Sequence, residues 1–377
     1  MKVAPDVDSP DGPFLLFLSQ GLTGVLGPSA KAVTRGAQAA VDYLNDLGGL
    51  HGRSIAIEIE DNKSDPASGA EIVRAALQRS PKPDLVIPGA SSIEALAAAP
   101  VLGEHQVIGL SPASSSALDD PDKYPFFFGQ SALQKHILAA VASFMRTHGT
   151  TARVAVVTPS DGLGDAINQQ LEGAFGPFGI TTTQHRYDPS SSDYSSTFEQ
   201  AKATNPDWIY MEGAGNQAAT VLVSRVAAGC GDIPSITGTA AGSVPLLDFA
   251  KGTNQMDNVW VIMLPTVAYV APEDRDEQFA AFVAGVEKQG PLEAPLATYA
   301  GGWDSVILWA DAVKNVDGEL TSSAVRHSLI NLPPASRLFY RTTYSAASNF
   351  VTAQPDEITV AQVESVRDGM YVFKDSA

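Results

Sequence analysis

The sequence predicts an α/β protein built around parallel sheets. Short β-branched and aliphatic runs alternate with longer helical patterns along almost the whole chain, as expected for βαβ units. The predicted strands end in loops of small or hydroxyl residues that lead into helices. The chain has 377 residues, a length that favours two domains, or one large one, over a single small module.

The strands and helices are predicted from the spacing of apolar residues. The predicted strands are 13–19, 54–60, 84–88, 107–110, 153–158, 181–187, 208–211, 235–238 and 259–264. The predicted helices are 30–47, 67–79, 93–102, 133–147, 165–178, 194–204, 217–229, 295–316 and 322–332. Because each of the first seven helices follows a strand, the chain forms two consecutive series of βα units.

The loops that follow several strands are rich in Gly and Ser. They are SQGLTG at 19–24, GASS at 89–92, SPASSS at 111–116, PSDGLG at 159–164 and EGAGNQ at 212–217. The ligand crevice of an open parallel sheet lies outside the carboxyl ends of its strands, where such loops gather. We therefore expect a polar site there, lined in part by backbone groups.

The segment 119–130, DDPDKYPFFFGQ, interrupts the alternation with two prolines and three phenylalanines. We interpret it as a passage between two domains, because the helical pattern restarts at Leu133. The last segment, residues 337–373, alternates like antiparallel strands. This order predicts a chain that leaves the first domain, builds the second and then returns.

The composition is that of a compact, soluble protein, with 44% hydrophobic and 18% charged residues. A net charge of −18 would repel nucleic acid and anionic lipid over most of the surface, so we expect no nucleic-acid partner. The single cysteine, Cys230, excludes an intramolecular disulfide and a zinc site made of several thiolates.

No segment approaches the roughly 18 apolar residues that a membrane-spanning helix needs. The first residues, MKVAPDVDSPDGPF, also lack the basic and apolar regions of an export signal. If the protein is exported, we expect its leader to be missing from this sequence.

Sequence patterns typical of catalysis are mostly missing. The chain has no Gly-x-Ser-x-Gly nucleophile turn, no GxxxxGK[ST] phosphate loop and no histidine pair at i, i+4. Residues 213–218 have the G-x-G-x-x-A form of a dinucleotide-binding turn, but the next strand ends at Gly238 with no carboxylate for a ribose. Asp161 and Asp165 fit helix caps better than acid-base catalysts. We expect neither an enzyme nor a bound cofactor or metal.

Several longer motifs are more specific. The opening of the chain combines GLTG at 21–24 with AVDYLNDLGGLHGRSIAIEIEDNKSDP at 40–66. Later motifs are SPASSS at 111–116, RVAVVTPSDGLGD at 153–165 and GGWDSVILWADAV at 301–313. Together they resemble the type I periplasmic binding proteins, in particular the branched-chain amino-acid-binding (leucine/isoleucine/valine) group of ABC-transporter solute-binding proteins.

The resemblance implies two similar lobes with Rossmann-like parallel-sheet cores and helices on both faces. Three hinge crossings would join the lobes, near 128–132, 263–267 and 340–345. Lobe 1 would contain residues 1–130 and 265–342, and lobe 2 would contain residues 131–264 and 343–377. A small ligand would be held between the lobes.

The resemblance also implies a site for the ligand's carboxylate. Ser92, Ala113 and Ser115 match the family positions that hold it, and Ser114 lies in the same loop. The chemistry agrees, because Ser92 begins a predicted helix and Ser115 lies in a loop that can offer hydroxyl and N–H donors to an anion. The alternative for each serine is a simple helix cap.

The rest of the implied site departs from the family pattern. Ser29 stands where relatives often place an aromatic residue, and Leu163 and Ala214 stand where they place tyrosines. Ala240 replaces the glutamate that pairs with the ligand's ammonium, and an ammonium without that partner would be costly to bury. Glu212 either substitutes for this glutamate or is a solvated loop residue.

Two aromatic residues lie in the returning segment. Tyr299 is predicted to flank the ligand cleft, whereas ordinary helix packing is the favoured interpretation of Trp303.

The function that the resemblance implies is that of a receptor outside the cytoplasm, either periplasmic or anchored as a surface lipoprotein. It would deliver its ligand to the membrane permease subunits of an ABC importer. Because the anion-binding half of the site is kept and the ammonium-binding glutamate is not, we expect an amino acid or an aromatic or branched carboxylic acid. A ligand-sensing regulatory protein on the same scaffold is the alternative.

Overall fold

The computed structural model describes residues 12–24, 26–149, 152–213, 217–238, 244–263, 268–333, 338, 344–351, 358–368 and 370–374. Within the chain, two compact units are distinguished: Met1–Ala132 with Val270–Thr352, and Leu133–Tyr269 with Ala353–Ala377. Residues 264–267 and 340–343, which belong to the second and third predicted crossings, lie outside the described residues.

The described strands and helices alternate along most of the chain. The strands are β1 (Phe14–Gln20), β2 (Ile55–Asp61), β3 (Leu85–Pro88), β4 (Ile108–Ser111), β5 (Phe127–Gly129), β6 (Arg153–Pro159), β7 (Thr181–Tyr187), β8 (Trp208–Met211), β9 (Ser235–Thr237), β10 (Val259–Met263), β11 (Thr359–Ala361), β12 (Val363–Arg367) and β13 (Met370–Phe373). The helices are α1 (Gly27–Asp46), α2 (Pro66–Leu77), α3 (Ser92–His105), α4 (Gln134–Thr147), α5 (Gly162–Asn168), α6 (Leu171–Phe175), α7 (Ser195–Ala203), α8 (Gln217–Ala227), α9 (Val244–Ala250), α10 (Glu277–Glu287), α11 (Leu296–Lys314) and α12 (Ser322–Ile330).

The first unit is built on a parallel sheet with the strand order β2-β1-β3-β4-β5. Leu16 of the central strand β1 aligns with Ile57 of β2 on one side and with Leu85 of β3 on the other. The apolar run of β1 is almost entirely buried, as expected for a strand covered on both faces of its sheet. The loops after β1, β2, β3 and β4 therefore emerge side by side at one edge.

The edge strand β5 corrects one prediction. Residues 127–129 lie within the segment interpreted as a passage between domains, but they pair in parallel with β4. The ring of Phe127 also packs against Phe350, with ring centroids 6.2 Å apart. Three residues shortly after Pro125 look like a loop in the sequence, and only the pairing with β4 and the contact with Phe350 make them a strand.

The third boundary of the units also differs from the predicted lobes. The chain from residue 343 was assigned to lobe 2, whereas residues 344–351 belong to the first unit. Asn349 is buried there, and its Nδ2 donates hydrogen bonds to the carbonyl oxygens of Leu118 at 3.2 Å and Tyr124 at 3.1 Å. These buried bonds hold the segment in the first unit.

The second unit is built on a sheet with the order β11-β10-β9-β8-β6-β7. Strands β6 to β10 pair in parallel, and β11, from the end of the chain, pairs antiparallel with β10. The strands β12 and β13 form a separate antiparallel pair. The antiparallel character predicted for the tail is thus confirmed for residues 359–373, whereas residues 344–351 form no strand.

Some helices differ from the predicted ones. The pattern at 165–178 divides into α5 and α6, and Gly176–Phe178 forms a 3-10 turn. Two glycines and Pro177 lower helix propensity in this stretch. The helices α9 and α10 were not predicted, although α10 has both a sequence cap, Asp276, and apolar residues spaced along one face.

The helices α1 and α11 pack closely in the first unit. A Cβ on Gly36 of α1 would lie 1.8 Å from the carbonyl oxygen of Tyr299, and a Cβ on Gly302 of α11 would lie 1.8 Å from that of Val33. Glycine therefore permits a backbone contact that any larger residue would prevent. Among the described helices, none has both the length and the apolar character needed to cross a membrane.

Candidate ligand-binding site

The loops that follow β3 and β4 meet at the hydroxyl group of Ser92. Ser92 is the first residue of α3, and its Oγ accepts hydrogen bonds from the backbone N–H of Ser114 at 3.1 Å and of Ser115 at 3.2 Å. Because the oxygen already accepts two bonds, the hydroxyl proton is left to donate to a further group. The structure thus brings together three of the serines predicted from the sequence.

Ser115 and Ala113 have defined partners in the same loop. The Oγ of Ser115 accepts a bond from the N–H of Ala117 at 3.3 Å and caps a short 3-10 turn. The oxygen of Ser115 therefore acts as a cap, which was the alternative interpretation. Its hydroxyl hydrogen is still able to donate to another acceptor. Ala113 is buried, and its N–H donates to Ser111 Oγ at 3.3 Å.

The N-terminus of α3 adds an electrostatic contribution. The first N–H groups of a helix lack partners within the helix, and this end carries a partial positive charge, which Glu94 in the first turn of α3 partly offsets. Ile93, the second residue of α3, is 63% exposed. This edge of the sheet thus combines donors suited to an anion with an apolar side chain, as a carboxylate on an apolar body requires.

Two other predicted residues of the first unit lie in α1 and α11. Ser29 is exposed in the first turn of α1. Tyr299 is 1% exposed, its hydroxyl accepts a bond from the N–H of Glu293 at 2.9 Å, and the guanidinium of Arg35 lies 5.1 Å from its ring. These contacts give Tyr299 a packing role, and we leave it out of the proposed site. The packing interpretation of Trp303 is confirmed by its complete burial.

In the second unit, Glu212 follows β8 and is held by two tyrosines. Tyr210 donates a hydrogen bond from its hydroxyl to Glu212 Oε2 at 2.8 Å, and Tyr187 donates to the Glu212 carbonyl oxygen at 2.7 Å. A Cβ on Gly238, at the end of β9, would lie 1.9 Å from Glu212 Oε1. The carboxyl group therefore lies against the end of the neighbouring strand, which is not the environment of a solvated loop residue.

Leu163 lies at the carboxyl end of β6, the strand next to β8. It is 37% exposed at the start of α5, and its N–H donates to the capping Asp161 Oδ1 at 3.0 Å. Ala214 and Ala240, the remaining predicted site residues, lie outside the described residues. Among the residues that the structure describes, no group of three or more His, Cys, Asp or Glu could hold a metal ion.

A family model of periplasmic binding proteins matches residues 18–369. This chain belongs to the periplasmic binding protein family. The match covers nearly the whole chain and agrees with the family that the motifs indicated.

Curated relatives of this periplasmic binding protein include two proteins named for branched-chain amino acids. "Leu/Ile/Val-binding protein homolog 1" of Brucella melitensis biotype 1 is 23% identical over 202 residues, which are 52% of this chain and 54% of the relative. "Leu/Ile/Val-binding protein BraC3" of Rhizobium johnstonii is 22% identical over 193 residues, 51% of this chain and 52% of the relative. The chain thus matches about half the length of these relatives.

Solved structures resemble the chain over nearly its full length. A type 1 periplasmic binding protein from Bordetella pertussis Tohama I has a TM-score of 0.76 at 16% identity, covering 96% of this chain and 99% of that one. LivJ from Streptococcus pneumoniae, in complex with isoleucine, has a TM-score of 0.73 at 19% identity and 95% and 97% coverage. A fatty acid ABC transporter substrate-binding protein from Thermomonospora curvata has a TM-score of 0.75 at 15% identity and 97% and 92% coverage. These likenesses confirm the type I α/β fold.

The environment of Glu212 in this periplasmic binding protein raises its pKa. Burial raises the pKa of the carboxyl from 4.5 to about 7, although the hydrogen bond from Tyr210 acts in the opposite direction. Among the described residues, no Lys, Arg or His forms an ion pair with Glu212. The carboxyl group therefore changes its protonation near neutral pH.

We expect a pH-dependent difference in stability between the natural protein and Glu212→Gln. The folded protein holds the Glu212 proton more tightly than the unfolded chain does, so the stability of the natural protein falls as pH rises from about 4.5 to about 7. Glu212→Gln removes this loss and should become relatively more stable across that range, by up to about 3 kcal/mol. Urea unfolding from pH 4 to 8 measures the difference, with the exposed Glu172→Gln as control. Parallel pH profiles of the natural protein and Glu212→Gln would contradict the assignment.

The two tyrosines that donate hydrogen bonds to Glu212 were not predicted from the sequence. Tyr210 lies two positions before Glu212, and residues i and i+2 of a strand face the same side of the sheet. The sequence therefore contained a signal that these two side chains are neighbours. Tyr187 ends a strand 25 residues earlier, and only the pairing of the strands in the sheet brings it to Glu212.

Proposed function

We propose that this chain is the extracytoplasmic solute-binding receptor of an ABC importer and that it captures a small carboxylate-bearing ligand. The arrangement of Ser92, Ser114 and Ser115 at the N-terminus of α3 is the observation that supports the anion-binding part of this proposal. Membership of the periplasmic binding protein family supports the receptor role.

The ligand has an apolar body attached to its carboxylate. Two exposed apolar side chains support this, because Ile93 stands beside the serines and Leu163 begins α5 in the second unit. The names of the similar proteins fit the same chemistry: isoleucine and fatty acids both join a carboxylate to an apolar body. Branched-chain amino acids and aromatic or branched carboxylic acids fall within this class.

An α-ammonium group is not required for binding. Near neutral pH, Glu212 is partly protonated, and in that form it can donate a hydrogen bond to a neutral or anionic acceptor. The ionised form would instead accept a bond from an ammonium. Binding that weakens as pH rises from 6 to 8 indicates a protonated donor, and binding that strengthens indicates an ammonium partner.

Capture takes place by hinge closure of the two lobes, and the loaded receptor delivers the ligand to membrane permease subunits. A ligand that contacts both lobes favours the closed state by its differential affinity for that state. Small-angle scattering should therefore give a smaller radius of gyration with a saturating ligand, and identical curves would count against closure.

A ligand panel tests the chemical class. We expect leucine, its keto acid and a benzoate-like acid to bind, and leucinamide, which keeps the ammonium but lacks the carboxylate, to bind far more weakly. A ligand at a hundred times its Kd adds about 2.7 kcal/mol of stability, so a thermal-shift screen followed by calorimetry suffices. Equal affinity for leucinamide and leucine would rule out the carboxylate site. Binding of leucine alone, abolished in Glu212→Gln, would show that the ammonium is required.

A further inference from the structure

A buried carboxylate, Glu94, stands at the third position of α3, next to the proposed ligand site. It is 2% exposed, and its Oε2 accepts hydrogen bonds from the Ser91 hydroxyl at 2.8 Å and from the Ala90 N–H at 3.2 Å. Its Oε1 accepts a bond from Asn62 Nδ2 at 2.8 Å, and Asn62 is fully buried. All three donors are neutral groups, so among the described residues hydrogen bonds rather than an ion pair hold this side chain in place.

Two routes connect Glu94 to the serine loop. The first route runs along the chain. Glu94 accepts a hydrogen bond from the hydroxyl of Ser91, and the next residue, Ser92, accepts hydrogen bonds from the Ser114 and Ser115 N–H groups.

The second route passes through Gly89. This residue has φ +92°, and a Cβ on it would lie 2.4 Å from Glu94 Cβ, so the loop packs directly on the glutamate. The Gly89 carbonyl accepts a bond from Ser111 Oγ at 3.3 Å, and Ser111 Oγ in turn accepts the Ala113 N–H. Both ends of the segment 111–114 are therefore linked to Glu94.

Asn62 extends the cluster to the loops after β1 and β2. Its Oδ1 accepts a bond from the Ser64 N–H at 2.9 Å. Ser64 Oγ donates to the Thr23 carbonyl at 2.7 Å and accepts a bond from the Leu26 N–H at 3.1 Å. Loops from four adjacent strands of the first sheet thus meet through one carboxylate.

We infer that Glu94 is a positioning residue that fixes the Ser92 hydroxyl for an anionic ligand and, through the bonds that Ser92 Oγ accepts from the Ser114 and Ser115 N–H groups, fixes the conformation of the serine loop. Glu94 does not touch the ligand. Its two oxygens set the geometry of the donors, in the way that supporting hydrogen bonds hold any preorganised site. The role in ligand affinity rests on the proposed function, but the ordering of the serine loop does not.

The test uses Glu94→Gln in the full chain without ligand. The amide has nearly the same shape, but one of its two acceptor atoms becomes an NH₂ group, which faces either the Ser91 and Ala90 donors or the Asn62 donor. Hydrogen exchange of peptides covering 111–118 should become about tenfold faster. The control is Asp84→Asn, which alters a half-buried carboxylate just before β3 that accepts the Leu15 N–H at 2.8 Å. It should leave exchange at 111–118 unchanged.

A second variant, Ser91→Ala, removes the donor side of the same link and should speed exchange in the same peptide. Because Ser91 also caps α3, Asn62→Ala, which removes the other donor to Glu94 and leaves that cap intact, decides the question if Glu94→Gln does not fold. Exchange at 111–118 that is no faster than in Asp84→Asn overturns the positioning role. This readout needs no ligand, whereas failure of the proposed function appears as absence of binding by the natural protein. Where the natural protein binds leucine or its keto acid, Glu94→Gln should raise Kd about tenfold and Asp84→Asn should leave it unchanged.

Discussion

Replacing Ser92 and Ser115 together by alanine is expected to weaken carboxylate binding by about 1.5–3 kcal/mol for each charged hydrogen bond lost. Each lost bond corresponds to roughly a tenfold to 150-fold rise in Kd. The Ser92 change should have the larger effect, because Ser92 Oγ also accepts bonds from the Ser114 and Ser115 N–H groups and so holds the serine loop in place. Isothermal titration calorimetry with the tightest-binding acid of the panel measures both single variants and the double variant.

The exposed Ser116, next to the same loop, supplies a matched control. Ser116→Ala should leave the affinity unchanged, because no part of the proposed site depends on its hydroxyl. An unchanged affinity in the double variant would remove the serines from the site. A loss of similar size in Ser116→Ala would mean that the loop responds to any substitution rather than through specific donors.

Gly36→Ala is expected to destabilise the first unit strongly. The added methyl group would lie 1.8 Å from the carbonyl oxygen of Tyr299, and that oxygen belongs to a helix backbone that cannot move without shifting α11. Overpacking of this kind costs typically 1–3 kcal/mol, and a backbone obstacle places this variant at the upper end. Gly302→Ala should behave alike, because its methyl group would meet the Val33 carbonyl oxygen at the same distance.

Gly103→Ala is the control for this effect. Gly103 lies within α3, and a Cβ there would meet no atom within 4 Å. Alanine should therefore stabilise the protein by about 0.5–1 kcal/mol through its higher helix propensity. Urea unfolding followed by far-UV circular dichroism compares the variants. If Gly36→Ala raised the unfolding midpoint as Gly103→Ala does, the close packing of α1 and α11 would be refuted.

Much of the fold follows from the sequence because local pattern and burial agree. The strands at 181–187 and 208–211 were predicted to the residue, since each is bounded by turn-forming residues and has strand composition. The strand β5 was not predicted, because its pairing with β4 and its contact with the distant Phe350 leave no signal in three residues. Tertiary pairing, and not local composition, makes these three residues a strand.

The site was predictable in part. The resemblance pointed to Ser92, Ser114 and Ser115, but the bond from the loop after β4 to Ser92 depends on how closely two loops approach, which no local pattern encodes. The packing of Tyr299 was not visible in the sequence, because α11 is apolar on nearly all sides and its pattern does not show which face is buried. Glu94 was overlooked even though Ser91 and Glu94 have the S-x-x-E spacing of a capping box.

The contact between α1 and α11 also governs when the first unit can fold. Gly36 meets the backbone of Tyr299, about 260 residues later in the chain, so the part of α1 that packs on α11 has no cover until α11 has been synthesised. The second unit likewise waits for β11 to complete its sheet edge. Contacts between such distant segments slow folding and prolong the exposure of apolar surface to other chains. A nascent chain of this protein therefore passes most of its synthesis in an aggregation-prone state, and a holding chaperone should raise its yield.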